Sequence, residues 1–475
     1  MARGSLRASF PSGKKVLFGM NDPHCVLASA SAHAGFGAVD GISLPECAIS
    51  DGMSGAMRFF LPLLTALQFA AAHLSAASLL PPNARVAVIG DSITEQKIYS
   101  KYIELYLLAC TGRNDIKVFQ FGWSGERAGG FAARLENDLA VFNPNVATTC
   151  YGMNDGSYKA YVPEIGAEYE KNMRAVIAGL HKVGVKVMAI GSPGGVDPDF
   201  FNRPTVKGEV YNDNLAHLRD IAKKLAEENK QPFANVHDTM MSALAKSKAA
   251  LGKGYGPFGG DGFHPAPAGQ LLMAQTFLKA LGLDGEIGTI TVDMKGAANA
   301  SSGHVIKAGQ AGSVTLESTK WPFCFDADPT SASSNRSILP FTSFNQDLNR
   351  LTLLVKNLGS AKAKVTWGVH SKEFSRAQLE AGINLASEFT QTPFDAAFAN
   401  LTNAIALKES FETTLVKNLV THMRVVAAEA AEDAKVAAAL AKLKKKLASE
   451  QAKMDAFARR LVVPVTHTIK VEEVR

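Results

Sequence analysis

Val86-Ala87-Val88-Ile89-Gly90-Asp91-Ser92-Ile93-Thr94-Glu95 carries the chain from one kind of structure into another. A short β-prone apolar run ends in a Gly-Asp-Ser turn, and helical spacing follows from Glu95, so Ser92 falls where a strand hands over to a helix. A serine there exposes its hydroxyl at the top of a sheet or caps the helix, and the tripeptide alone does not separate the two. Outward from this point the alternation continues. Ile98 to Cys110 is helical, Ile116 to Phe121 a strand, Ala128 to Phe142 a helix, Val146 to Cys150 a strand and Glu164 to Val183 a helix. Val185 to Ile190 is a fourth strand and Val210 to Asn229 a helix; Val236-His237 begins a fifth strand, and Ala268 to Leu281 closes the series as a helix. Strands separated by helices imply right-handed crossovers and a doubly wound parallel α/β sheet, whose active groups gather beyond the carboxyl ends of its strands.

Three blocks sit at those ends. Gly90-Asp91-Ser92 follows the first strand, Gly122-Trp123-Ser124-Gly125-Glu126 the second, and Gly152-Met153-Asn154-Asp155 the third, while Asp261-Gly262-Phe263-His264 lies in a Gly-rich loop before the last helix. Together they resemble the SGNH/GDSL hydrolase family in block order and spacing, over Arg85 to about Leu283. The resemblance implies a flavodoxin-like hydrolase fold with Ser92 as nucleophile, His264 as general base and Asp261 as its orienting partner. It also implies an oxyanion hole made by the N–H groups of Ser92 and Gly125 and the side-chain amide of Asn154. Arg127 departs from the family's second block, a change expected at the rim of the site. The chemistry asks for these residue types independently: a serine needs a base within reach, the base needs a carboxylate, and the tetrahedral oxyanion needs fixed donors. No metal or cofactor is required. Trp123, Tyr151 and Phe263 are candidates for an acyl or sugar platform, or for packing beneath the loops.

The remainder of the 475 residues is organised around this domain. Met57-Arg58, an apolar run from Phe59 to Ala72 and small residues ending at Ala77 have the form of a secretory signal peptide, so residues 57–77 are expected to be removed and 1–56 to be a mis-called or unstructured extension. This leaves a hydrolase domain at 82–284, a β-rich accessory region at 285–394, and a helical hairpin with a terminal strand at 395–475. In the accessory region the β-prone runs are Thr289 to Asp293, Val305-Ile306, Ser313 to Glu317, Leu351 to Lys356 and Lys364 to Gly368, which suggest a small antiparallel unit. Trp321, Phe323, Phe325 and Trp367 are either its core or a sugar-stacking surface. The net charge of +6 is dispersed, and the Lys444 to Lys446 run sits in a mixed-charge helical pattern, which argues against a nucleic-acid partner. Five scattered cysteines form no metal-binding pattern; Cys110 with Cys150 is one possible bridge. The expectation is a secreted or periplasmic bacterial esterase deacetylating O-acetylated carbohydrate, without a membrane span after processing. The alternatives are a lysophospholipase-type esterase and a non-catalytic glycan-binding scaffold.

Overall fold

The computed structural model describes residues 78–430 and 432–475. The expected extension and signal segment, 1–56 and 57–77, lie outside the described residues, as do Cys25 and Cys47. Strands β1 (Arg85–Gly90), β2 (Lys117–Gln120), β3 (Val146–Cys150), β4 (Val187–Gly191) and β5 (Phe233–Ala234) form a parallel sheet in the order β2-β1-β3-β4-β5. Side chains alternate across a strand, and in β1 Val86 and Val88 enter one core while Ala87 and Ile89 enter the other. Both faces must therefore be covered. Helices α3 (Ala128–Ala140) and α4 (Pro163–Lys182) cover one, and α2 (Tyr99–Leu105), α6 (Val236–Leu251) and α7 (Pro267–Ala280) the other, with α5 (Gly208–Glu228) adding to both. This is the doubly wound architecture expected from the alternation. Helix α1 (Ser92–Glu95) begins at Ser92 itself, and Asp91 is its cap, accepting from the Ile93 N–H at 3.0 Å.

The accessory region holds two sheets instead of one antiparallel unit. In the first, β10 (Arg350–Lys356) runs parallel to β6 (Glu286–Asp293), with β7 (Asn299–Ala300) and β13 (Ile383–Asn384) antiparallel at the edges. The second is wholly antiparallel, in the order β12 (His370–Ser375), β11 (Lys362–Trp367), β14 (Val465–Val474), β9 (Ser313–Ser318), β8 (His304–Gln310). Short helices α8 (Phe344–Leu348), α9 (Arg376–Ala381) and α10 (Leu385–Glu388) connect the strands. Trp321 and Trp367 are each 0% exposed and Phe323 is 2%, so this aromatic group is core, with Phe325 half-buried at its edge against Phe323 and Phe344. It is continuous with the α2/α6/α7 side of the hydrolase sheet. Cys110, Cys150 and Cys324 are free thiols, and the Cys110–Cys150 bridge does not form; the Cys150 Sγ faces the Ser192 carbonyl at 3.5 Å.

The predicted hairpin is kinked. Helix α11 (Asp395–Thr414) passes through a π-turn at Leu415–Val420 into α12 (Met423–Ala430), and α13 (Ala434–Arg460) returns. It is also not a free appendage. Strand β2 is an edge strand, and such an edge leaves backbone groups unpaired. Helix α11 pairs them with side chains: Lys408 Nζ donates to the Val118 carbonyl at 2.8 Å, and Glu412 accepts from the Gln120 N–H at 3.0 Å. Among the described residues no helix is long and apolar enough to cross a membrane.

In the second accessory sheet, Trp367 Nε1–H donates to His467 Nδ1 at 3.1 Å, so the proton of neutral His467 sits on Nε2 and is donated to Ser318 Oγ at 2.8 Å. The Ser318 hydroxyl donates to His304 Nδ1 at 2.7 Å, and His304 Nε2–H donates to the Ile287 carbonyl at 3.0 Å. Every donor in this buried chain is used only while both imidazoles are neutral. Burial, with His304 adding to it, pushes His467 down to about 4, and burial lowers His304 as well. The unfolded chain takes up these protons near its ordinary value of 6.5, so it binds more protons than the folded chain between pH 6.5 and 4, and stability falls as pH falls through that window. Urea unfolding of wild type should lose about 2 kcal/mol at pH 5 relative to pH 7 from His467, and His467→Phe should flatten that slope. An unchanged slope would remove the chain as its source.

Candidate active site

Three loops at the carboxyl ends of β1, β2 and β3 converge with the loop before α7. Gly90 permits the tight turn after β1, since a Cβ there would stand 2.2 Å from Thr94 Oγ1 and 2.9 Å from the Cys150 carbonyl. Ser92 Oγ lies 2.8 Å from His264 Nε2, and His264 Nδ1 lies 2.7 Å from Asp261 Oδ2. The other carboxylate oxygen of Asp261 accepts the backbone N–H groups of Phe263 and His264 at 3.1 and 3.0 Å, which fixes the loop around the pair. Burial alone would raise the Asp261 carboxyl; the bonds from the His264 ring and the two N–H groups outweigh it and hold Asp261 below its ordinary value. Asp261 is thus a carboxylate, able to keep the His264 Nδ1 proton and present an unprotonated Nε2 to the hydroxyl.

The donors needed opposite this pair are also assembled. Asn154 Oδ1 accepts from the Tyr158 hydroxyl at 3.2 Å, which identifies the other end of the amide as the NH2 group, and that group gives one hydrogen to the Glu126 carbonyl at 3.1 Å. One amide hydrogen remains. Gly125 has φ +73°, a backbone conformation that glycine adopts at little cost, and among the described residues neither its N–H nor that of Ser92 donates to any group. Asp155 ties two loops together, accepting from the Ala128 and Gly152 N–H groups at 3.0 Å each. Burial pushes Asp155 up to about 6 and Asp91 up to about 7.

All five quoted site residues therefore lie in one loop cluster. The three aromatic candidates do not form an open platform beside them. Trp123 lies between the cations of Arg134 and Lys417, each 4.9 Å from its ring, while Tyr151 is wholly buried with its hydroxyl on Glu126 at 2.8 Å, and Phe263 is buried. The Gly191–Gly195 loop is buried, and Ser192 Oγ accepts from the His237 N–H at 3.0 Å. Sequence reasoning missed a longer-range element. Lys417, from the π-turn after α11, pairs with Glu95 Oε1 at 2.7 Å, and Glu95 Oε2 accepts both the N–H and the hydroxyl of Ser124 at 2.5 Å. Nothing in the local sequence relates residues so far apart. A cavity of about 650 Å³ is lined by Thr239, Lys246, Gln275 and Phe341 among others and includes none of the five. Ser318 is 0% exposed, so its histidine contacts form no second reactive centre.

Residues 88–272 match the GDSL-like lipase/acylhydrolase family. No curated protein matches the chain. Among solved structures, it is similar to a gut microbial diltiazem-metabolizing enzyme at 20% identity, covering 84% of this chain and 100% of that one with a TM-score of 0.65. That likeness of fold extends well beyond residues 88–272. An acetylxylan esterase from Geobacillus stearothermophilus matches at 22% identity over 43% of this chain and 96% of its own, with a TM-score of 0.36. An alpha/beta hydrolase enzyme from the metagenome of Lake Arreo, Spain, matches at 22% over 43% and 98%, with a TM-score of 0.34.

Proposed function

We propose that this ester-hydrolysing enzyme, whose residues 88–272 match the GDSL-like lipase/acylhydrolase family, is an exported serine esterase that removes short acyl groups, above all acetyl, from carbohydrate. The observation that carries the chemistry is the continuous Ser92–His264–Asp261 contact, 2.8 and 2.7 Å long. His264 Nε2 takes the Ser92 proton as Oγ attacks the ester carbonyl, and Asp261 stabilises the imidazolium. The oxyanion that forms is received by the N–H groups of Ser92 and Gly125 and the spare amide hydrogen of Asn154. His264 then gives its proton to the departing alcohol, and water, activated by the same base, releases the acid from Ser92.

A long acyl chain would need a continuous apolar groove. The concavity of about 510 Å³ beside Arg203 mixes Phe201, Pro204 and Val206 with Thr205, Lys207 and Glu209, a lining that suits a carbohydrate alcohol. Export rests on the form of residues 57–77. The test is a panel of acetyl, butanoyl and octanoyl 4-nitrophenyl esters beside acetylated oligosaccharides. Acetate release from the saccharides and a kcat/KM falling with chain length are expected; octanoyl ester turned over faster than acetyl would overturn the short-acyl reading.

Lys417 tests how the site is held. Its link through Glu95 to the Ser124 backbone steadies the turn that carries the Gly125 N–H. Lys417→Met should lower kcat about 10-fold with KM less changed, since a loosened oxyanion donor is felt after attack begins. Its thermal midpoint should move little, because a pair still partly open to solvent, with side chains 24% and 18% exposed, contributes only about 1 kcal/mol. An unaltered kcat would show that the turn holds itself.

A further inference from the structure

We propose that Arg203 is the binding point for a carboxylate on the alcohol part of the ester, so that the substrate is an acyl ester of an acidic sugar. The proposal rests on Ser92 and His264 acting as described above and names the substrate class they serve. Arg203 lies in the segment between β4 and α5, and its guanidinium carbon rests 4.4 Å from the Tyr158 ring centroid and 4.5 Å from that of Phe263. Both rings are anchored to the site. The Tyr158 hydroxyl donates to Asn154 Oδ1 at 3.2 Å, and the Phe263 and His264 rings are 4.4 Å apart between centroids. The two rings meet edge to face at 5.6 Å, so the cation is held against a fixed aromatic corner.

This guanidinium is placed but not neutralised. Arg134, on α3, bonds Glu126 at 2.7 Å and Asp138 at 2.8 Å; Arg203 has no ion pair with Asp or Glu among the described residues. An exposed, oriented guanidinium edge matches the two oxygens of a carboxylate, which it takes through parallel N–H bonds. The side of the ester it serves follows from the mechanism. His264 must stand beside the leaving oxygen to protonate it, so groups packed around His264 face the alcohol and not the acyl group. From Arg203 the concavity of about 510 Å³ provides room for the remainder of that alcohol, with Lys207 as a second cation and Glu209 as the one carboxylate in its lining. Arg127, exposed and bonded to Ser157 Oγ at 3.1 Å, adds positive charge at the rim that its departure from the family pattern brings.

The test uses the full chain and two acetyl esters, 4-acetoxybenzoate and its methyl ester, which differ in a carboxylate on the leaving alcohol. Wild type, Arg203→Met and Arg203→Lys are compared by the ratio of kcat/KM for the acid to that for the methyl ester. In Arg203→Met the ratio should fall about 10-fold, chiefly through KM for the acid, because a charge-assisted pair at an accessible site is lost. Arg203→Lys should recover only part, since charge returns without the planar fork, and 1 M NaCl should shrink the wild-type ratio. A ratio within twofold of wild type in Arg203→Met would overturn the proposal while leaving the esterase intact. Absence of any Ser92-dependent turnover of either ester would instead bring down the site assignment and this proposal with it.

Discussion

Ser92→Ala is expected to abolish acyl-enzyme formation and to lower turnover of 4-nitrophenyl acetate by about 10⁴-fold or more. The hydroxyl 2.8 Å from His264 Nε2 is the atom the base can activate, and alanine leaves nothing to form the covalent ester. His264→Ala should be nearly as damaging, because the remaining hydroxyl keeps its proton. Asp261→Asn should fall short of both, since its loss impairs the orientation and charge of the base without removing it. Asn154→Ala should reduce kcat by about 100- to 1,000-fold with KM less changed, the amide hydrogen being needed only once the oxyanion develops. Rapid-mixing measurement of the 4-nitrophenolate burst decides the matter. A burst of full amplitude in folded Ser92→Ala protein would show that another group is the nucleophile.

The second large effect lies well away from chemistry. Lys408 is 0% exposed and is shared by Glu104 at 2.8 Å, Glu412 at 2.9 Å and the Val118 carbonyl at 2.8 Å, with Glu409 buried beside them. Burial raises all three carboxyls, and the Lys408 charge opposes that rise. Lys408→Met removes the central cation from among the three, and breaking a buried pair in this way typically destabilises by about 3–5 kcal/mol. The substitution also uncovers the Val118 carbonyl on the edge of the catalytic sheet. Urea unfolding should show that loss, and Glu104→Gln placed on the same background should recover part of it. A change under about 1 kcal/mol would mean that the carboxyls are satisfied without Lys408.

The same residues show where sequence stops being informative. The first four hydrolase strands were legible because each is short, apolar and followed by a helical run, and the four site blocks because each carries its chemistry within a few residues; the fifth strand, expected from Val236-His237, is the two-residue β5 just before it, and Val236 opens α6. Ser92, Gly125 and Asn154 could be placed in one cluster from the order of those strands, and His264 joined them through the family resemblance. Lys408, Glu409 and Glu412 read locally as the solvated face of an Ala- and Leu-rich helix. They are buried because the edge of β2 needs a donor and an acceptor, a requirement set by a strand about 290 residues earlier. Trp321 and Trp367 were ambiguous for a similar reason, since an aromatic residue in a β-rich segment is core or surface according to what packs on it. Here the α2/α6/α7 side of the hydrolase sheet belongs to the same apolar cluster. Strands β7 and β13 are two residues long and carry no period that could be read. Arg203 gave no signal because its aromatic partners come from two other loops.

Strand β14 follows β8, β9, β11 and β12 in the chain and lies between β9 and β11, in the middle of their sheet. Until it has been made, β8 with β9 and β11 with β12 can form only as two separate hairpins, each with an open inner edge. His467 arrives with that strand, so the buried chain from Trp367 to Ile287 waits for it as well. The second accessory sheet is consequently closed from its middle, and removal of the ten residues of β14 would take away the bond between two halves of a sheet.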